Sequence, residues 1–349
     1  MNGFHIAGRP IGGDAPCFII AEAGVNHNGD PALARRLIDA AAECGADAVK
    51  FQTWKTEALT RPDARKAAYQ QDTTGSEGSQ ADMLRSLELT YDDFAGLARY
   101  AEARGILFLS TPFDHQSLSF LVGLGMPVIK VPSGEVRNHL HLAAVGRTGL
   151  PVILSTGMAR LADVDTAIAH LRRAGGGPVA VLQCTSNYPA DPADANLRAI
   201  PVMAATFGVT AGYSDHTAGN ECAFAARALG ASIIEKHLTL DRDLPGPDHK
   251  ASALPDQFAA LVSGIRAIEA ALGDGVKRPR SSEGDVAAVA QRSLCAAHAL
   301  EPGDPIALED LVALRPGDGI PADRLDLVVG RRLTRAVAAG RPLDLADFT

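Results

Sequence analysis

A chain of 349 residues, 46% of them hydrophobic and 21% charged, has the makeup of a globular protein and the length for one large domain plus one small one. Its formal net charge of -8 argues against nucleic acid or an anionic membrane as the main partner, so an anionic ligand must be held by a local cluster of bases. No apolar run reaches transmembrane length, and Met1–Ala7 lacks the basic and apolar regions of a signal peptide. The five cysteines, Cys17, Cys44, Cys184, Cys222 and Cys295, are scattered and show no C-x-x-C spacing. The expectation is a cytoplasmic protein without disulfides or a zinc site.

Phe4–Ile6 and Ile11, separated by Gly8–Pro10, predict a small hairpin that could plug a barrel floor. From Phe18 to about Leu272, short apolar or β-branched runs alternate with Ala- and Leu-rich amphipathic stretches. The predicted strands are Phe18–Ala23, Ala48–Gln52, Ile106–Thr111, Val128–Val131, Val152–Ser155, Val179–Gln183, Thr210–Ser214 and Ser232–Lys236. Helical patterns lie between them, such as Pro31–Cys44, with proline in the expected first turn, Asp92–Arg104 and Asn220–Leu229. Eight strand–helix units predict a TIM (β/α)8 barrel over residues 1–272. A doubly wound open sheet is the competing architecture, but no Gly-rich dinucleotide fingerprint follows the first strand. The insertion from Lys55 to Tyr91 reads as a loop over the site, mobile around Thr73–Ser79, or as a disordered surface insertion. Residues 273–284 form a polar linker. Residues 285–349, with strand-like Ser293–Ala299 and Leu311–Leu314 between turn clusters, form a small β-rich domain, marginal alone and expected to lean on the barrel or a second subunit.

The active site of a TIM barrel lies at the C-terminal ends of its strands. Here those ends carry Glu22; Lys50 and Gln52; Thr111; Lys130, Ser133 and Glu135; Ser155; Ser186, Asn187 and Tyr188; Ser214 and His216; and Glu235 and His237. Lysine inside an apolar strand is costly to bury without a partner. Two of them, Lys50 and Lys130, beside several hydroxyls, point to a bound anion; either alone is also explained by an internal ion pair, to Glu22 or Glu235 for instance. Small residues at Ser133-Gly134, Ser155-Thr156-Gly157 and Ser214 allow close approach of phosphate. His216 and His237 end adjacent strands, where two imidazoles can ligate one divalent metal and leave positions open. His5, His115, His139, His141, His170 and His298 have no such setting and read as structural or surface residues. The stiff loop Asp241–Lys250 suits holding Asp248 over the mouth, or is a plain surface loop.

Together these motifs resemble the sialic acid synthase family, whose members make N-acetylneuraminate, legionaminate and pseudaminate. The matching segments include Ala21–Gly29, Lys50–Thr53, Ser110–Phe113, Lys130–Glu135, Leu154–Met158, Gln183–Pro189, Gly212–Thr217, Ile234–His237, Gly246–Ser252 and Leu314–Ile320. The resemblance covers essentially the whole chain and implies a barrel followed by an antifreeze-like (SAF, β-clip) domain, in a domain-swapped homodimer. It implies that His216 and His237 hold Mn²⁺, with Mg²⁺ or Co²⁺ possible in its place. Lys50, Thr111, Lys130, Ser133, Ser155 and Ser214 would take phosphoenolpyruvate, Glu22 would be the catalytic carboxylate, and Gln52, Glu135, Tyr188 and Asp248 would line the sugar side. Arg315 would reach the sugar's N-acetyl group from the partner chain. Some members have Asn as a phosphate contact where this chain has Ser186 followed by Asn187, which leaves two candidates.

The implied reaction joins phosphoenolpyruvate and water to an open-chain N-acetylated mannosamine-type sugar, giving a nine-carbon sugar acid and phosphate. The product would be N-acetylneuraminate or N,N'-diacetyllegionaminate, and pseudaminate is the competing product. Two further activities compete with this one. A pyruvate-using metal-dependent barrel aldolase would need no phosphate cluster. A non-catalytic sugar binder would have no reason to keep Glu22, His216 and His237 together.

Overall fold

The computed structural model describes residues 3–75 and 77–349. Ser76, in the Thr73–Ser79 segment expected to be mobile, and Met1 and Asn2 of the N-terminal segment lie outside them. The chain divides into two compact units, Met1–Gly273 and Asp274–Thr349.

In the first unit β1 (Phe4–Ile6) and β2 (Arg9–Ile11) pair antiparallel with Phe4 opposite Ile11. The second arm of the hairpin is thus Arg9–Ile11 rather than Ile11 alone. The turn is Ala7-Gly8, both at positive φ (48° and 80°), the geometry of a tight two-residue hairpin turn. Eight strands follow: β3 (Phe18–Gly24), β4 (Ala48–Thr53), β5 (Leu107–Pro112), β6 (Ile129–Val131), β7 (Val152–Ser155), β8 (Val179–Cys184), β9 (Thr210–Asp215) and β10 (Ile233–His237). Every ladder among them is parallel, in the order β5-β4-β3-β10-β9-β8-β7-β6. β5 and β6 lie side by side without a ladder. Helices fill the intervals, so the architecture is the TIM-type barrel and not the open doubly wound sheet.

Side-chain alternation along the strands builds two cores. Outward residues such as Ile19, Phe51, Phe108, Val131, Leu154, Val181, Tyr213 and Ile234 pack with the surrounding helices. Inward residues Phe18, Ile20, Ala48, Leu109, Val128, Ile153, Ala180, Leu182 and Ile233 form a second core with Phe4, Ile6 and Ile11 of the hairpin. The hairpin therefore plugs the barrel floor, as its apolar residues predict.

The insertion after β4 is largely helical, with helices Thr56–Leu59, Ala68–Thr74 and Gln80–Leu87. Ser79 caps the last one, accepting from the Asp82 N–H while the Asp82 carboxylate accepts from the Ser79 backbone. Its two ends are tied to each other, the Glu88 carboxylate accepting from Lys55 Nζ at 2.7 Å and from the Thr56 amide at 3.0 Å, and the Lys55 amide donates to Asp114 Oδ2, after β5, at 2.8 Å. This is an ordered wall, not a plain surface excursion.

In the second unit a short helix, Gly284–Ala290, precedes β11 (Ser293–Ala296), which pairs antiparallel with β12 (Leu311–Leu314). The rest is held by isolated bridges and turns around a core that includes Leu294, Ile306, Ile320, Val328, Leu333, Leu343 and Phe348. No described helix of either unit is long and apolar enough to cross a membrane.

Candidate active site

The inward face changes chemistry partway up the barrel. Along β3, Phe18 and Ile20 belong to the floor core and Glu22 is the next inward residue; along β10, Ile233 is followed by Glu235 and His237. The same switch places Lys50 and Gln52, Lys130, Ser155 and Ser214 at one level. They line a cavity of about 560 Å³ at the C-terminal ends of the strands, with Glu22, Thr111, Ser133, Cys184, Ser186, Tyr188, His216, Glu235, His237 and Asp248. Glu135 and Asn187 are not among its lining residues. Glu135 is half-buried and accepts from the Asn138 side-chain amide, and burial raises its carboxyl above the usual range. Arg315 is exposed in the second unit, directly after β12.

At the cavity floor Lys50 Nζ lies 2.6 Å from Glu22 Oε2 and 3.7 Å from Glu235 Oε2, and donates to Thr111 Oγ1 at 3.1 Å. Lys130 Nζ lies 3.3 Å from Glu235 Oε1 and donates to Ser155 Oγ at 2.8 Å. Ser214 Oγ donates to Glu235 Oε1 at 3.1 Å, and Gln52 Nε2 donates to Glu22 Oε1 at 3.0 Å. All four charged groups are buried. Both lysines are therefore internally paired, and their burial does not by itself require an anion. Two lysines and two glutamates sum to zero formal charge, so an incoming anion must compete with carboxylates. Burial raises the Glu22 carboxyl, against the pull of Lys50. Burial would raise Glu235 as well, but the lysines on either side hold it below the usual carboxylate range. Burial pushes Lys130 down. For Lys50 it is outweighed by the two glutamates, which raise it. The two carboxylates differ because Glu235 faces both cations and Glu22 chiefly one.

Beside this cluster Ser133 Oγ accepts from the Gly157 N–H at 2.9 Å. A Cβ at Gly157 would come within 2.3 Å of Ser186 Oγ and 2.9 Å of Ser133 Oγ, so glycine is what lets these hydroxyls crowd the strand end. Of the two candidate phosphate contacts, Ser186 lines the cavity and Asn187 does not.

The rings of His216 and His237 stand 5.4 Å apart, with Tyr188 packed 4.2 Å from His216 and edge-on to His237 at 5.6 Å. The 2.7 Å contact from His216 Nδ1 to the Thr185 carbonyl fixes that nitrogen as a donor, leaving Nε2 as the ligating atom of the neutral ring. Burial alone would lower His216; the Cys184 sulfur at 3.9 Å and the Thr185 carbonyl hold it above its ordinary value. His237 Nδ1 is buried without a hydrogen-bond partner, and burial takes its ring well below the ordinary value, so it is neutral. Asp248 Oδ2 approaches that nitrogen to 3.9 Å. Burial, with Glu22 nearby, pushes Asp248 up to about 6. Two neighbouring imidazoles, one with an orphaned nitrogen, fit a divalent cation. Among the described residues no group of three or more His, Cys, Asp or Glu forms a cage, so remaining coordination would fall to water or substrate.

The Asp241–Lys250 loop is anchored at Pro247–His249, which is buried, while Asp241, Asp243 and Lys250 are exposed. Asn26 Nδ2 donates to the Leu238 carbonyl at 2.9 Å and to Ser252 Oγ at 2.8 Å, and Ser252 Oγ donates to the Asp248 carbonyl at 2.7 Å. His249 bridges Thr239 Oγ1 (2.7 Å) and Asn28 Oδ1 (3.0 Å). On the outer face, Lys236 Nζ bonds Asp215 at 2.7 Å and the carbonyls of Thr217 and Gly219 at 2.7 and 2.9 Å, bracing the turn that carries His216.

Sequence reading leaves Glu235 without a role beyond a possible ion pair and gives Cys184 none; it puts the insertion over the site as a loop, where the structure has helices lining the cavity. Helical spacing of Met83, Leu84 and Leu87 was the available signal for them.

Comparison with known proteins places this geometry. Residues 37–277 match the NeuB family and residues 291–349 match the SAF domain. The chain is 44% identical to N,N'-diacetyllegionaminic acid synthase of Legionella pneumophila, covering 96% of this chain and 95% of that protein. It is 42% identical to the enzyme of the same name from Campylobacter jejuni, covering 91% and 96%. The crystal structure of N-acetylneuraminic acid synthetase from Leptospira borgpetersenii, in complex with citrate, superposes with a TM-score of 0.72 at 36% identity over 82% of this chain and 95% of that one. The chain belongs to the NeuB family and carries a C-terminal SAF domain.

Proposed function

We propose that this protein condenses phosphoenolpyruvate with an open-chain N-acetylated mannosamine-type sugar and water, releasing phosphate and a nonulosonic acid. The observation that carries the reading is the meeting, in one cavity of a NeuB-family chain, of a lysine–glutamate–hydroxyl floor with a two-histidine pair. Lys50 and Lys130, with Thr111, Ser133, Ser155, Ser186 and Ser214, bind the carboxylate and phosphate of phosphoenolpyruvate, exchanging internal ion pairs for contacts to the ligand. His216 and His237 hold a divalent metal, Mn²⁺ first among candidates, which supplies Lewis acidity toward the sugar aldehyde when bound. Glu22, raised by burial and oriented by Gln52, stabilises the positive charge that develops at C2 and takes the proton of the water that adds there, after which the C–O bond to phosphate breaks. Tyr188, Gln52 and Asp248 shape the sugar side, and Glu135 lies near its rim.

The reading is tested by mixing protein, Mn²⁺, phosphoenolpyruvate and N-acetylated sugar. Stoichiometric phosphate and a nine-carbon acid by mass spectrometry are expected. A product formed from pyruvate without phosphate release would make it an aldolase.

We also infer a cytoplasmic, domain-swapped homodimer in which Arg315 of one chain completes the partner's site. The five cysteines are free and buried, as a reducing compartment requires. In a dimer so built, mixing inactive Glu22→Gln and Arg315→Ala chains restores activity through one intact composite site; no complementation after subunit exchange rules the exchange out.

A further inference from the structure

We propose that Lys236 and Asp215, on the outer face of the barrel wall, are positioning residues for the metal. They fix His216 in place and thereby set how tightly the two-histidine pair holds a divalent cation. This rests on the reading above that His216 and His237 are the metal ligands.

A site with two protein ligands has little to hold a cation with, so its affinity depends on how firmly each ring is placed before the ion arrives. The two rings are placed unequally. His237 Nδ1 has no hydrogen-bond partner, and Asp248 Oδ2 stands 3.9 Å from it. The His216 ring is tied at Nδ1 to the Thr185 carbonyl at 2.7 Å, and the His216 backbone carbonyl accepts from the Ala190 amide at 2.8 Å. The residue after it is held harder still. Asp215 Oδ1 accepts from the Thr217 amide at 2.9 Å and from Thr217 Oγ1 at 2.7 Å. Lys236 Nζ donates to Asp215 Oδ2 and the Thr217 carbonyl, each at 2.7 Å, and to the Gly219 carbonyl at 2.9 Å. Those three acceptors use all three ammonium hydrogens.

Strand register links this cluster to both ligands. Lys236 pairs with Asp215 across the β9–β10 ladder. Asp215 immediately precedes His216, and Lys236 immediately precedes His237. One outer-face pair therefore backs both ligand-bearing strands. Stability does not explain its presence. Tyr213 and Ile234, two residues earlier on the same faces, belong to the apolar core beneath the helices. Lys236 and Asp215 are as buried as they are, and buried ion pairs are often replaced by apolar residues with no loss of stability. An apolar pair would thus serve the core as well. It could not hold the carbonyls of Thr217 and Gly219, and the turn that carries His216 would be free to shift.

Mn²⁺ binding to the full chain is measured by loss of the free-ion paramagnetic resonance signal. Combining Lys236→Met with Asp215→Leu removes both charges together and leaves no unpaired buried ion. It should weaken Mn²⁺ binding about ten- to a hundredfold, the usual weight of a group that orients a metal ligand. Thr217→Val keeps the side-chain shape and removes only the hydroxyl bond to Asp215; it should weaken binding by a smaller factor, and it decides the matter if the double variant does not fold. Turnover of either variant should return at saturating Mn²⁺, and phosphoenolpyruvate binding in chelator should not change. Leu109→Ala, in the floor core on the opposite side of the barrel, loosens the fold without touching the cluster and should keep the wild-type Mn²⁺ affinity. Unchanged Mn²⁺ affinity in the folded variants, or an equal loss in Leu109→Ala, overturns the proposal while leaving the metal reading intact. No Mn²⁺ binding by the wild-type chain removes the metal reading itself and this role with it.

Discussion

The floor and the mouth of this barrel are made by the same eight strands and the same inward face, yet they hold opposite chemistry. Below, Ile20, Leu109, Ile153, Leu182 and Ile233 close on the hairpin residues Phe4, Ile6 and Ile11 with no polar group among them. One or two residues further along, Glu22, Lys50, Lys130, Ser155, Ser214 and Glu235 are equally buried and wholly polar. The difference teaches where the fold gains stability and where it gives some up. The apolar half is stabilised by close packing. The polar half carries desolvated charges and an orphaned nitrogen on His237, a cost that a ligand-free protein has no structural reason to bear.

Substitutions can break that comparison. The largest effect is expected at Glu22→Gln. Phosphoenolpyruvate should still bind while kcat falls by roughly 10²–10⁴, the usual weight of a positioned acid–base group, and near-normal turnover would remove Glu22 from the chemistry. Below it, Leu182→Ala should lower unfolding stability by about 2–5 kcal/mol, read by denaturant titration at saturating ligand and without it. If the surviving folded enzyme lost turnover as heavily as Glu22→Gln, the division between floor and mouth would be wrong.

Asp248 sharpens the contrast through pH. Its carboxyl sits up at about 6 against an ordinary 3.8, burial being the main cause. The native state therefore holds this proton at higher pH than the unfolded chain does. Above pH 6 the buried carboxylate is a full penalty, which is relieved as pH falls from 6 toward 3.8. Asp248→Asn should accordingly raise stability in chelator at pH 7–8, on the order of 2–3 kcal/mol, with little gain at pH 4. Equal gains at both pH values would show that charge is not the cause. The smallest effect is expected at Lys130→Met, where Lys50 remains to pair with Glu235. The KM for phosphoenolpyruvate should rise about tenfold with kcat less affected. An unchanged KM would leave Lys130 as an internal counter-ion only.

Much of this was legible in the chain. Short apolar or β-branched runs between helical patterns located every barrel strand to within one residue at each end, because local hydrophobic pattern and parallel-strand burial agree there. Side-chain alternation put Lys50 with Gln52, and Glu235 with His237, on shared strand faces. What alternation cannot express is which residues meet across strands. It brought Lys50 to Glu22 and Glu235 without distinguishing an anion-binding lysine from an internally paired one. It left Ser186 and Asn187 undecided, a matter of which side chain turns inward after β8 ends.

By itself, the sequence determined the order of strands and helices, the plugging hairpin, the small second domain and the family, since each is written in local periodicity or contiguous motifs. Only the tertiary structure decided that the floor lysines are neutralised by Glu22 and Glu235, that the Asp241–Lys250 loop is pinned through Asn26, Asn28 and Ser252, and that the insertion folds into an apolar wall bearing Trp54. Those are contacts between residues far apart in the chain, set by barrel closure, and no local pattern encodes the partner of a buried charge.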